Sequence, residues 1–114
     1  MDDEHPCLDE LVYLLSKQGN VEIAGAYIDP LVALEASADL KPDASFLDLS
    51  MPQLNGAELA RKMLAHSPSM KIVFVTAYSK ELQKLKENPA VGSILKPVSE
   101  SKLIELLQRM AVYI

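Results

Sequence analysis

The chain has 114 residues, which suits one domain able to bury roughly two-thirds of its unfolded surface. Its formal net charge of −5 gives it no electrostatic attraction to nucleic acid or anionic lipid, and its 49% hydrophobic and 24% charged content is that of a globular protein. No apolar run approaches the roughly 20 residues of a membrane span, the acidic start "MDDEHP" is no signal peptide, and the single cysteine, Cys7, excludes an internal disulfide framework and fits a reducing, cytoplasmic setting.

In chain order, Leu8, Leu11, Val12 and Leu15 recur at helical spacing, and Gly19-Asn20 stops that helix. "VEIAGAY" (21–27) is rich in small and β-prone residues and reads as a strand. Asp29-Pro30 begins a second helix, Asp as N-cap and Pro in its first turn, which runs to about Asp39 before Lys41-Pro42. "ASFLDL" (44–49) is a strand. Gly56 opens a helix with Leu59, Ala60, Met63 and Leu64 on one face, ended by Ser67-Pro68. "KIVFVTA" (71–77) is an apolar, β-branched run of the kind buried on both faces of a parallel sheet. A charged helix is expected over about Ser79–Asn88, a strand over "VGSIL" (91–95), and a final helix capped by Ser99 and carrying Leu103, Ile104, Leu107 and Met110.

Strands alternating with helices imply a doubly wound parallel sheet covered on both faces, here with four strands and five helices. In such sheets the working site lies beyond the carboxyl ends of the strands. Those ends deliver Asp48, Thr76 and Lys96, each following an apolar strand, and the segment before the first helix adds Asp2, Asp3 and Glu4. Clustered carboxylates repel unless a cation joins them, and Mg²⁺ takes one or two carboxylates, a carbonyl and waters. An ammonium suits a phosphoryl oxygen. The set therefore points to a phosphoryl group on or near a carboxylate, with Mg²⁺ neutralising charge during transfer. "GNVEIAG" lacks the Lys-Ser/Thr ending of a phosphate-binding loop, which disfavours nucleotide binding.

Four stretches at these spacings, "DDE" (2–4), "FLDLSMPQLNG" (46–56), "VTA" (75–77) and "LKP" (95–97), make the whole chain, 1–114, resemble the receiver domain of bacterial two-component response regulators, with similarity to receivers joined to LytTR-type or related transcriptional output domains. The resemblance implies a flavodoxin-like fold. It implies that Asp48 accepts a phosphoryl group from a sensor histidine kinase. It also implies that Asp2, Asp3, Asp48 and the Ser50 carbonyl bind Mg²⁺, with Asp3 the direct acidic ligand and Asp2 behind it. Thr76 and Lys96 would bind the phosphoryl group, and Lys96–Pro97 would be a cis peptide. Implied partners are the kinase and an output domain, or self-association, with no direct nucleic-acid or membrane contact and no enzyme activity of its own.

Two features depart from that family. The aromatic switch position three residues before the lysine is Ser93, leaving Tyr78 as the nearest aromatic that could gate the site. The apolar strand that leads into the acidic pair, the centre of the family's sheet, is absent from the sequence, which starts "MDDE". In the order 2-1-3-4-5 its absence separates strand 21–27 from strand 44–49 and leaves unpaired backbone groups worth about 1–3 kcal/mol each. An open monomer is then unfavourable, and self-association through the exposed edges is expected. The alternative function is a phosphate-independent interaction or dimerisation module on the same scaffold. Cys7 reads as a small apolar filler, since nothing marks its thiolate as stabilised.

Overall fold

The computed structural model describes residues 1–49, 55–77 and 92–111. Ser50, Met51, Pro52, Tyr78 and the helix expected over 79–88 lie outside them. Among the described residues the elements run α1 (His5–Ser16), α2 (Pro30–Leu40), β1 (Ala44–Asp48), α3 (Gly56–His66), β2 (Lys71–Thr76), β3 (Gly92–Leu95) and α4 (Glu100–Ala111). No helix among them is long and apolar enough to cross a membrane.

The helix starts follow local capping chemistry. The Asp29 carboxylate accepts from the Leu31 N–H at 2.9 Å, with Pro30 in the first turn of α2. Asn55 caps α3 by accepting from the Glu58 N–H at 2.9 Å, and the Ser99 hydroxyl accepts from the Lys102 N–H at 3.2 Å at the start of α4. At the end of α2, Lys41 takes the left-handed region with φ 47.

The three strands form a parallel sheet in the order β1-β2-β3. β1 pairs with β2 from Ala44 opposite Lys71 to Asp48 opposite Val75, and β2 pairs with β3 from Val73 opposite Gly92 to Thr76 opposite Leu95. Alternation along β2 divides the core between two faces. Ile72 and Phe74 pack with Leu47, Leu59, Ala60 and Met63, while Val73 packs with Leu14, Ile94, Leu103 and Leu106. β2 is buried from Ile72 to Thr76, as a continuous apolar strand should be.

Residues 21–27 correct the expectation of a fourth strand. They join no ladder, and the sheet has three strands among the described residues. The composition of 21–27 favours extended backbone, but strand structure needs a neighbour. Among the described residues, the segment lying between them and β1 is the stub Met1–Asp2. The Met1 amino group donates to the Phe46 carbonyl, the Asp48 N–H donates to the Met1 carbonyl at 2.9 Å, and the Asp2 N–H donates to the Tyr27 carbonyl at 3.1 Å. Below this stub a cavity of about 510 Å³ separates 20–27 from Ala44–Leu47. Residues 21–27 and β1 do not pair with each other among the described residues.

Gly56 sits where a side chain has no room. A Cβ there would stand 2.3 Å from the Asp48 carbonyl oxygen and 2.8 Å from the Leu49 Cα. The contact is with backbone, so neighbouring side chains cannot relieve it by changing rotamer. The clash, about 1–3 kcal/mol, outweighs the gain of up to about 1 kcal/mol that alanine brings to a helix. Gly56→Ala is expected to lower stability by about 1–2 kcal/mol in urea unfolding. An unchanged midpoint would show that the approach of α3 to β1 is not tight.

Candidate functional site

β1, β2 and β3 end side by side, and their parallel run puts Asp48, Thr76 and the Lys96 that follows β3 at one edge of the sheet. The apolar residues preceding Asp48 and Thr76 bury the strand ends, so both are themselves buried, at 3% and 0% exposure. The stub Met1–Asp2, bonded to Tyr27 on one side and to β1 on the other, brings the acidic N-terminal segment to the same edge.

One carboxylate oxygen from each of Asp2, Asp3, Glu4 and Asp48 lies within 4.8 Å of the others. Asp2 is buried and its Oδ1 accepts from the Glu4 N–H at 3.0 Å, which turns the chain into α1. Asp3 and Glu4 are exposed. The Lys96 ammonium enters this cluster, at 2.7 Å from Asp2 Oδ2, 3.6 Å from Asp48 Oδ2 and 3.7 Å from Glu4 Oε1. The Glu4 contact is solvated and worth little. The contacts to Asp2 and Asp48 are shielded and set the electrostatics. Burial pulls the Lys96 pKa down, but its hydrogen bond to Asp2 and the charges of Asp48 and Asp2 outweigh that and hold it above the usual 10.5. Burial pushes the Met1 amine down to about 6. Lys96 therefore carries the cationic charge of the cluster at neutral pH. Burial also pushes the Cys7 thiol up, away from thiolate chemistry.

Of the residues singled out in the sequence, Asp2, Asp3, Asp48 and Lys96 come together, and Thr76 ends the strand beside them. The Lys96–Pro97 peptide is cis. Ser50 lies outside the described residues. Asp2, expected behind Asp3, is the buried acid that pairs with Lys96, while Asp3 is exposed, and Glu4, read as part of the acidic segment, joins the cluster. Ser93 is exposed on β3, so no aromatic occupies that position.

This arrangement can hold a hard cation against several carboxylates, with an ammonium beside them for a second anionic group. The model of the response regulator receiver domain matches residues 1–108. A response regulatory protein of Vibrio cholerae is 37% identical over 110 residues, covering 96% of this chain and 46% of that protein. The transcriptional regulatory protein YpdB of Escherichia coli is 35% identical over 112 residues, covering 96% of this chain and 45% of that protein. The chain thus spans less than half the length of these curated relatives. The crystal structure of the response regulatory domain of protein MrkE from Klebsiella pneumoniae superposes with a TM-score of 0.86 at 33% identity, covering 99% of this chain and 93% of that one. The response regulator TrrA of Thermotoga maritima in complex with Mg²⁺-BeF gives 0.85 at 27% identity, covering 96% and 93%. The chain belongs to the response regulator receiver domain family, and its fold is the flavodoxin-like receiver fold.

Replacing Lys96 by methionine would keep most of the stem but leave the buried Asp2 and Asp48 without their cation. Breaking a shielded pair of this kind costs about 3–5 kcal/mol, and Lys96→Met is expected to lose stability on that scale in chemical unfolding at pH 7. Because the folded-state pKa of Lys96 is raised, its contribution is fully present below 10.5 and is lost as pH rises through the folded value. The gap between the two proteins should therefore hold from neutral pH upward and narrow above 10.5. A gap that instead closes between pH 7 and 9 would assign the stabilisation to another group.

Proposed function

We propose that this chain is a phosphorylation switch: Asp48 accepts a phosphoryl group from the phosphohistidine of a sensor histidine kinase, and the modified domain controls a transcriptional output. The observation that carries the reading is the single sheet edge where the buried Asp48 and Asp2, the exposed Asp3 and Glu4 and the Lys96 ammonium meet. Similarity to the transcriptional regulatory protein YpdB supports the output. The chemistry of the donor set fits Mg²⁺, and the related TrrA structure holds Mg²⁺ with a beryllofluoride.

In this reading an Asp48 carboxylate oxygen forms the new O–P bond while the P–N bond to the kinase imidazole breaks and its electron pair leaves with the nitrogen. Asp2, Asp3 and Asp48, together with the Ser50 carbonyl that the family resemblance supplies, would hold Mg²⁺, whose chemistry there would be to offset the negative charge of the phosphoryl group. Lys96 pairs with a phosphoryl oxygen and the Thr76 hydroxyl donates to another. The added charge at the sheet edge then biases the surrounding loops toward a second arrangement that changes partner contacts.

Incubation with acetyl phosphate and Mg²⁺ should add the mass of one phosphoryl group, seen by intact mass spectrometry, and Asp48→Asn should abolish the addition. Full labelling of the Asn variant would remove Asp48 from the role. An unlabelled wild type would favour a phosphate-independent interaction module.

Cation binding has its own check by titration calorimetry. Asp3→Ala is expected to weaken Mg²⁺ binding by at least about tenfold. Unchanged affinity would make this exposed acid a bystander and leave Asp2, Glu4 and Asp48 as the donors.

A further inference from the structure

α2 carries apolar side chains on both of its sides. Towards the core it presents Pro30, Ala33 and Ser37, all buried, and the Ser37 hydroxyl donates to the Leu34 carbonyl at 2.8 Å. Leu31, Val32 and Leu40 face outward, at 59%, 49% and 50% exposure, and Ile28, just ahead of the Asp29 cap, is 42% exposed. Among the described residues, α3 and α4 expose no large apolar side chain. A surface helix normally keeps its outer side polar, and one that is apolar on both sides is normally covered on both. α2 is covered on one.

The outer side has a defined pattern. Residues four apart on a helix stand in one row. Val32, Ala36 and Leu40 make one row, and Leu31, Glu35 and Asp39 make the next. Leu40 also borders the cavity beside β1. The groove between the rows is apolar along one side and, beyond Leu31, acidic along the other. No cationic residue stands within α2, and Lys41 follows at its far end. Neither Glu35 nor Asp39 forms an ion pair among the described residues, although α3, which packs on α2, carries Arg61 and Lys62. Asp39 lies in the last turn, where the helix dipole disfavours a carboxylate. The fold gains nothing visible from these two acids.

We propose that this groove docks a basic amphipathic helix of a partner protein. The apolar residues of that helix lie along Val32, Ala36 and Leu40, and lysines or arginines on one flank reach Glu35 and Asp39. Ala36, small and central in its row, lets the two backbones approach. Charge decides against the other occupants. A second copy docked through the same groove would bring its own Glu35 and Asp39 to the same two-fold axis, like against like. An anionic lipid surface or a nucleic acid would meet the same carboxylates. A helix suits the groove better than an extended segment, because its anchors recur every third or fourth residue.

The probe is a synthetic helix of about 18 residues, long enough to be helical alone, with leucines every third or fourth position and lysines flanking them. A second peptide has glutamate in place of lysine. Binding is read by fluorescence anisotropy and located by hydrogen exchange. The lysine peptide should bind and slow exchange in α2, and the glutamate peptide should not bind. Glu35→Lys with Asp39→Lys should weaken the lysine peptide by at least about tenfold and let the glutamate peptide bind. Leu31→Ser with Val32→Ser should weaken the lysine peptide to a similar degree. All four positions are exposed, so the thermal midpoint should stay within a few degrees. Reversing Asp9 and Glu10, exposed on α1, should change the affinity by less than about twofold. Equal weakening by the α1 reversal would reduce the binding to net charge and overturn the proposal. So would the absence of binding, or protection outside α2. A dimer of the chain alone in sedimentation velocity, lost with Leu31→Ser and Val32→Ser, would give the face to a second copy and overturn it as well.

Discussion

The wedge of Met1 and Asp2 between Tyr27 and β1 is the constraint on which the site depends. Three backbone hydrogen bonds hold it, to Phe46, Asp48 and Tyr27. They fix the position of the buried Asp2 carboxylate opposite Asp48, and the Asp2 side chain in turn fixes the turn into α1 through the Glu4 N–H. Without this stub, no backbone would connect the acidic segment to the sheet, and its carboxylates would be those of a solvated terminus.

Lys96 completes the arrangement from the opposite side. It follows β3 directly, and its N–H donates to the Thr76 carbonyl at 2.8 Å, so its backbone continues the ladder between β2 and β3. The ammonium then crosses the strand ends to Asp2 and Asp48. A cluster of carboxylates this tight would be self-repelling, and an internal cation makes it compatible with a stable fold. The same ion pair means that any incoming cation or anionic group meets a site already neutralised in part. Binding there is an exchange of partners rather than the filling of an empty charge.

The sheet separates two cores. β2, buried on both faces and paired on both sides, anchors two separate apolar clusters, and each cluster is closed by its own helices. α2 and α3 cover one side with Ala33, Leu59, Ala60 and Met63, while α4 covers the other with Leu103, Leu106 and Met110. The ladder from β1 to β3 thus has its own core, and the cavity lies beside it rather than within it. That separation is the physical reason the strand-end site can be assembled although 21–27 lie outside the sheet.

The sequence by itself determined the elements whose causes are local. The Asp29-Pro30 and Ser99 caps, the helical spacing of Leu8 and Leu11, and the unbroken apolar run 72–75 each follow from short-range chemistry, and each appears in the structure as read. The meeting of Asp2, Asp3, Asp48 and Lys96 was also legible, because parallel strands put their carboxyl ends together whatever their exact register. Two things only the tertiary structure decided. Whether 21–27 form a strand depends on a neighbour far away in sequence, and the stub Met1–Asp2 reaches only the end at Tyr27. Which acid of "DDE" turns inward depends on the ladder bonds of Met1 and on the reach of Lys96 from the other end of the chain. Those set Asp2 inside and Asp3 outside, a choice that three adjacent acidic residues do not encode.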